Sequence, residues 1–178
     1  PVGSESRRND RYGITHIHQF MTKRNLITYS VAVATANKNR SLFALTAITK
    51  ILTKMYRWAP HGKCTAGMPG TLYMPSVTHE YSIYDVLQRR VTKMNEWLHV
   101  ASAFSDDVLV SCGNLAAANI PHNSIDYIFT DPPFGANISY SELSFLWEAW
   151  LGVRTNNSTE AIINSSQNKG LLEYQQLM

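Results

Sequence analysis

The sequence predicts an α/β chain, with a mostly helical first part over residues 1–104 and a partial parallel sheet over 105–178. Three observations predict it. Apolar residues in the first hundred positions recur at three- and four-residue spacing, the period of a helix. Two short β-rich apolar runs follow, residues 107–111 and 125–131, each bounded by turn residues. A helical stretch with a Ser-x-x-Glu start comes last, and strand, turn, strand, helix is the order of a parallel α/β unit.

The elements run as follows. The first ten residues are polar and read as a mobile lead-in. Thr22 is an N-cap for a helix over 25–36, and residues 37–40 are turn-like. Ser41 is expected to cap a helix whose apolar positions are Leu42, Leu45, Ile48, Leu52, Met55 and Tyr56. Residues 59–76 are rich in Gly and Pro and read as loop, with a short strand over 71–74. Ser82 and Asp85 resemble a capping box opening a long helix, striped by Ile83, Leu87, Val91, Met94 and Leu98. Residues 115–119 form a helical turn, and 121–124 punctuate before the second apolar run. Ser139 and Glu142 form a capping box for a helix through Leu143, Leu146, Trp147, Trp150 and Leu151, closed by Gly152. Residues 171–178 read as an unfinished helix, and the chain is expected to be part of a longer protein.

Composition narrows the class. The 178 residues are 44% hydrophobic and 16% charged, enough apolar material for a core and too little charge for a disordered tail. No repeat or biased run is present, and no apolar stretch reaches the roughly 18 residues of a membrane span. The two cysteines, Cys64 and Cys112, make no disulfide framework, so a soluble cytoplasmic protein is expected. The net charge of +3 hides a split. Residues 1–93 hold fourteen of the sixteen Lys and Arg with four acids, a net +10; residues 94–178 carry −7. The first half either meets a polyanion or complements the second half.

The chemistry concentrates in Asp131-Pro132-Pro133-Phe134, placed directly after the second apolar run. At average residue usage, an Asp-Pro-Pro-aromatic string arises by chance in roughly one chain of this size in several hundred. The carboxyl end of a strand is where open α/β sheets bind ligands. The two prolines fix φ, lack N–H groups and hold the residue before each in an extended conformation. The Asp131 carboxylate and the Pro132 carbonyl can then face outward together, a pair of acceptors suited to an amine with two hydrogens. Phe134 adds a flat apolar face and Gly135 lets the chain turn away. An exocyclic amine on a heteroaromatic base fits such a site.

Residues 124–135 resemble the catalytic segment of the amino-methylating DNA methyltransferases, which modify adenine or cytosine at the exocyclic amine. The resemblance runs back to residues 108–114, which look like a cofactor-side strand and its turn. It runs forward through 138–147, which look like the helix after the motif in large prokaryotic DNA methylases. More loosely, residues 20–26 and the helices after them look like an insert of those enzymes. The resemblance implies a Rossmann-like methyltransferase sheet, present here in part, behind a helical N-terminal insert. It implies S-adenosyl-L-methionine as cofactor and double-stranded DNA with a flipped target base as partner, with the rest of a parent polypeptide completing the enzyme.

In that reading Asp131 and Pro132 accept the target amine's hydrogens, Pro133 shapes the loop, and Phe134 stacks on the base. Gly113, Asn114 and Asp131 lie on the cofactor side, with Asn114 where such families often place an acid. The Asp-Pro-Pro start leans toward adenine over cytosine. The family's Phe-x-Gly-x-Gly cofactor loop has no counterpart, so the isolated chain is expected to bind cofactor poorly. A restriction-modification or phage-defence setting is implied. Two other readings stand beside it: an inactive DNA-binding or assembly subunit, and an RNA methyltransferase.

Lys23 and Arg24 fall in the first turn of a helix, where cations oppose the dipole and a bound phosphate would offset the cost. With Arg40, Lys54, Arg57, Arg89 and Arg90 they form a candidate DNA-facing surface, the alternative being a solvated basic face. His61 and Cys64 lack the companions of a four-ligand metal set, and no metal is expected. His16 and His18 read as surface or core histidines, Cys112 as a small buried hydrophobe, Asp106 and Asp107 as a turn, and Trp147 and Trp150 as core.

Overall fold

The computed structural model describes residues 3–36, 40–60, 67–103, 108–111 and 113–178, the side chains of Arg40 and Ala116 apart. The readings on residues 37–39, His61, Cys64, Asp106, Asp107 and Cys112, and on the side chain of Arg40, lie outside the described residues.

Among the described residues five α-helices carry the fold: α1 (Lys23–Thr35), α2 (Arg40–Ile48), α3 (Ile83–Ala101), α4 (Tyr140–Leu151) and α5 (Leu171–Leu177). α1 begins where the sequence places it, because Thr22 Oγ1 accepts the Asn25 N–H at 3.2 Å and satisfies one of the free donors of the first turn. α2 packs chiefly on α3, and α1 against both. Met21, Tyr29, Leu45, Ile48, Leu52, Ile83 and Val86 are the buried core between them. A second apolar cluster of Phe20, Met55, Leu72 and Leu146 lies beside it. α4 joins both. Trp150 meets Tyr29 edge-on at 4.8 Å, and Trp147 Nε1 donates to Thr46 O on α2 at 3.0 Å. Both tryptophans therefore pack as core.

The expected sheet is not there. Among the described residues no β-strand forms, and only isolated antiparallel bridges occur, at Met21 with Thr53, Arg57 with Thr78 and Asn164 with Lys169. The Rossmann-like sheet is thus overturned in favour of a helical fold. Residues 108–111 and 125–131 are exposed coil, with Leu109 at 94% and Phe129 at 85% exposure. Their residue types favour strands, yet β-propensity expresses itself through cross-strand neighbours and a covered face. No described segment pairs with either run. Residues 71–74 are likewise no strand.

Other differences are local. α2 starts at Arg40, so Ser41 lies inside the helix, and it stops at Ile48 instead of running on to Tyr56. Beyond it come tight turns in which Thr49 Oγ1 bonds Leu45 O and Thr53 Oγ1 bonds Lys50 O, side-chain competition that ends helices. Leu52 and Met55 are buried all the same. The opening segment is docked rather than loose. Glu5 Oε2 accepts Leu72 N–H at 3.0 Å, and Asn9 Nδ2 donates to Leu72 O at 2.7 Å, so two side chains satisfy both backbone groups of one residue. Ser82 occupies the N-cap of α3 without a side-chain bond. Among the described residues, no helix is long and apolar enough to cross a membrane.

Candidate functional site

The Asp-Pro-Pro-Phe motif lies in the irregular stretch leading into α4. It has no regular structure up to Pro133 and then turns over 134–137. There Asn137 N–H donates to Phe134 O at 3.2 Å, and Gly135 takes the left-handed φ of +56° that glycine adopts without strain. Two contacts from the end of the chain pin that turn: Tyr174 Oη on α5 donates to Pro133 O at 2.7 Å, and Ile163 N–H donates to Gly135 O at 3.3 Å. Asp131 and Pro132 are exposed, Pro133 is half-buried, and the Phe134 ring is 66% exposed. The Asp131 carboxylate makes no hydrogen bond or ion pair with a described residue, so both oxygens are open to an incoming donor. The expected position at a strand end is corrected: an anchored surface turn, not a sheet edge, presents the four residues.

The cofactor-side residues lie at the surface. Gly113 and Asn114 are exposed, and Asn114 O opens the 3-10 turn Leu115–Ala117 by accepting Ala117 N–H at 3.0 Å. A cavity of about 420 Å³ is lined by Arg7, His16, Phe20, Leu72, Glu142 and Phe145 among others; one of about 380 Å³ is lined by Arg57, Trp58, Pro60, Tyr73, Pro75, Ser76 and Val77. Gly113, Asn114 and the motif line neither. Among the described residues no group of three or more His, Cys, Asp or Glu is placed to hold a metal ion.

Glu142, expected in a capping box with Ser139, turns inward instead. It is fully buried and accepts Ser6 N–H at 2.7 Å and Asn164 Nδ2 at 3.1 Å. Gly3 makes this possible, since a Cβ there would lie 1.9 Å from Glu142 Oε1. Glu160 does the capping, accepting both Ser141 N–H at 2.9 Å and Ser141 Oγ at 2.6 Å. Lys169, buried beside it, donates to Asn157 O at 2.6 Å and Glu160 O at 2.7 Å, and burial holds its ammonium below the ordinary lysine range.

The basic residues divide. Lys23 is exposed in the first turn of α1. Arg24 is already paired: its guanidinium meets the Glu80 carboxylate at 3.0 Å, and Glu80 also accepts the Thr22 hydroxyl. An internal carboxylate thus offsets the dipole cost that a phosphate was expected to relieve. Lys54 turns inward and donates to Gln19 O at 2.9 Å. Arg89 Nε bonds Asp85 O along α3 at 3.2 Å. Arg24, Arg57 and Arg90 gather around residues 77–81. Arg57 bridges Thr78, Arg24 holds Glu80, and Arg90 acts on the Tyr56 phenol, whose ring meets Tyr81 edge-on at 5.3 Å. Burial raises the Tyr56 phenol, the neighbouring Tyr81 adds to this, and Arg90 opposes it.

Sequence reasoning missed the anchors Tyr174 and Ile163, which no spacing ties to the motif. It also passed over Trp58-Ala59-Pro60 and Tyr73-Met74-Pro75, two aromatic-x-Pro strings whose recurrence was a usable signal. No protein-family model, curated protein or solved structure matches this chain.

Proposed function

We propose that this chain carries the base-gripping and DNA-facing parts of an S-adenosylmethionine-dependent DNA methyltransferase that modifies the exocyclic amine of adenine, and less readily of cytosine. One observation carries the reading: an Asp-Pro-Pro-Phe turn stands in the open with an unengaged carboxylate, an exposed ring, and a base pinned by Tyr174 and Ile163. A carboxylate next to a proline carbonyl accepts two hydrogens from one amine, and the phenyl ring stacks on a base turned out of its duplex. A +10 first half supports a polyanionic partner. The Phe-x-Gly-x-Gly cofactor loop has no counterpart in the sequence, so the 178 residues alone are expected to transfer no methyl group.

A second reading, a DNA-binding or assembly subunit without turnover, is favoured by the absence of a Phe-x-Gly-x-Gly loop from the sequence. One assay separates the two: incubation of the longest polypeptide containing this sequence with duplex DNA and labelled S-adenosylmethionine, read by mass spectrometry of the bases. N6-methyladenine is expected, and Asp131→Ala should lower its yield about 10²-fold or more. The melting temperature should hardly move, because an exposed side chain contributes within about 0.5 kcal/mol. Transfer that survives Asp131→Ala sinks the site, and DNA binding without transfer selects the second reading.

A further inference from the structure

Trp58, 49% exposed, and Tyr73, 42% exposed, open onto one recess of about 380 Å³ with Arg57, Pro60, Pro75 and Val77. The volume falls within the range of small-ligand sites. Its frame is held by backbone pairing: Trp58 N–H donates to Val77 O at 3.1 Å and His79 N–H to Tyr56 O at 2.9 Å, flanking the Arg57–Thr78 bridge. Among the described residues the lining is two aromatic side chains, two prolines, a valine and an arginine, with the hydroxyls of Ser76 and Tyr73 and no acid. Such a lining has little with which to read hydrogen-bonding edges and much with which to stack a flat ring. Arg57 lies in the +10 half of the chain, with Arg24 and Arg90 around the neighbouring 77–81 segment.

We propose that this recess takes one unpaired nucleobase of a DNA strand, stacked against Trp58 and Tyr73, with Arg57 on an adjoining phosphate. The inference rests on the DNA partner of the proposed function and adds a base-holding site separate from the Asp131 turn. Stacking is sequence-tolerant, because every base has a π-face, and an arginine beside it supplies the backbone contact.

The test uses the full 178-residue chain and fluorescence anisotropy with a short labelled oligo-dT strand, its duplex, and oligo-U. Oligo-dT is expected to bind more tightly than the duplex. Trp58→Ala and Tyr73→Ala should each weaken it about five- to hundredfold. Trp58→Phe, which keeps a ring, should recover most of the loss and guards against a variant that fails to fold. Arg57→Gln should lower the salt slope by about one. Wild-type affinity in both alanine variants overturns the proposal, as does tighter binding of oligo-U or a Trp58-dependent affinity for a proline-rich peptide only. Trp58-dependent oligo-dT binding in a protein that never methylates would sink the methyltransferase reading and leave this one standing. Methylation lost with Asp131→Ala, beside oligonucleotide binding indifferent to Trp58, would do the reverse.

Discussion

Glu5 shows how one side chain ties the opening segment down. Burial alone pushes its carboxyl up, but the Arg8 guanidinium and the Leu72 N–H outweigh burial and hold it below the ordinary glutamate value. A depressed folded-state value means that Glu5 contributes stability above its unfolded value. That contribution is lost as the pH falls through the folded one. Glu5→Gln is therefore expected to cost about 1.5–3 kcal/mol near neutrality, the range for hydrogen bonds to a charged group. The gap to wild type should narrow as the solution is acidified below the usual carboxylate range, which melting curves at several pH values would check. A gap independent of pH would mean that Glu5 acts by shape alone. At this same scale, the rigid Asp-Pro-Pro-Phe string was legible because proline's constraints are local. Its anchor was not, since Tyr174 lies 41 residues from Pro133.

Among the helices, α1 is tied to its surroundings by Asn25. Buried on the first turn, its Nδ2 donates to Leu52 O at 3.3 Å and to Tyr81 O at 3.0 Å, joining α1 to the turns after α2 and to the lead-in of α3. Asn25→Ala leaves two carbonyls short of a donor in a dry place, and a loss of about 1–3 kcal/mol in denaturant unfolding is expected. No loss would mean that water replaces the amide. The start of α1 could be read from Thr22, because a cap is made within three residues. The caps of α3 and α4 could not. Ser82 and Ser139 stand at the N-cap positions without capping, and Glu160, from beyond the end of α4, supplies the acceptor there.

Over the whole molecule, the uneven charge gives a prediction about which cations count. Arg24 already has Glu80 at 3.0 Å, whereas among the described residues Lys23 and Arg90 have no ion pair. Lys23→Gln and Arg90→Gln should each lower the slope of log affinity for duplex DNA against log salt by about one. Arg24→Gln should lower it less, because freeing Glu80 and losing Arg24 alter a pair that was neutral. An unchanged slope at all three positions would place the DNA away from residues 77–81.

Helix positions, the N-cap at Thr22, the closing Gly152 and the stiffness of the acceptor turn follow from forces acting within a few residues, and the order of amino acids alone specifies them. Strand formation does not work this way. Two runs rich in Val, Ile, Tyr and Phe stay exposed coil because a strand needs hydrogen-bonding neighbours that no described segment supplies. The folded chain alone settled that Glu142 faces inward, that Lys54 is a tether, that Tyr174 holds the motif, and that Trp58 and Tyr73 share a recess. Each of these joins residues far apart in the chain, and only packing brings them within reach.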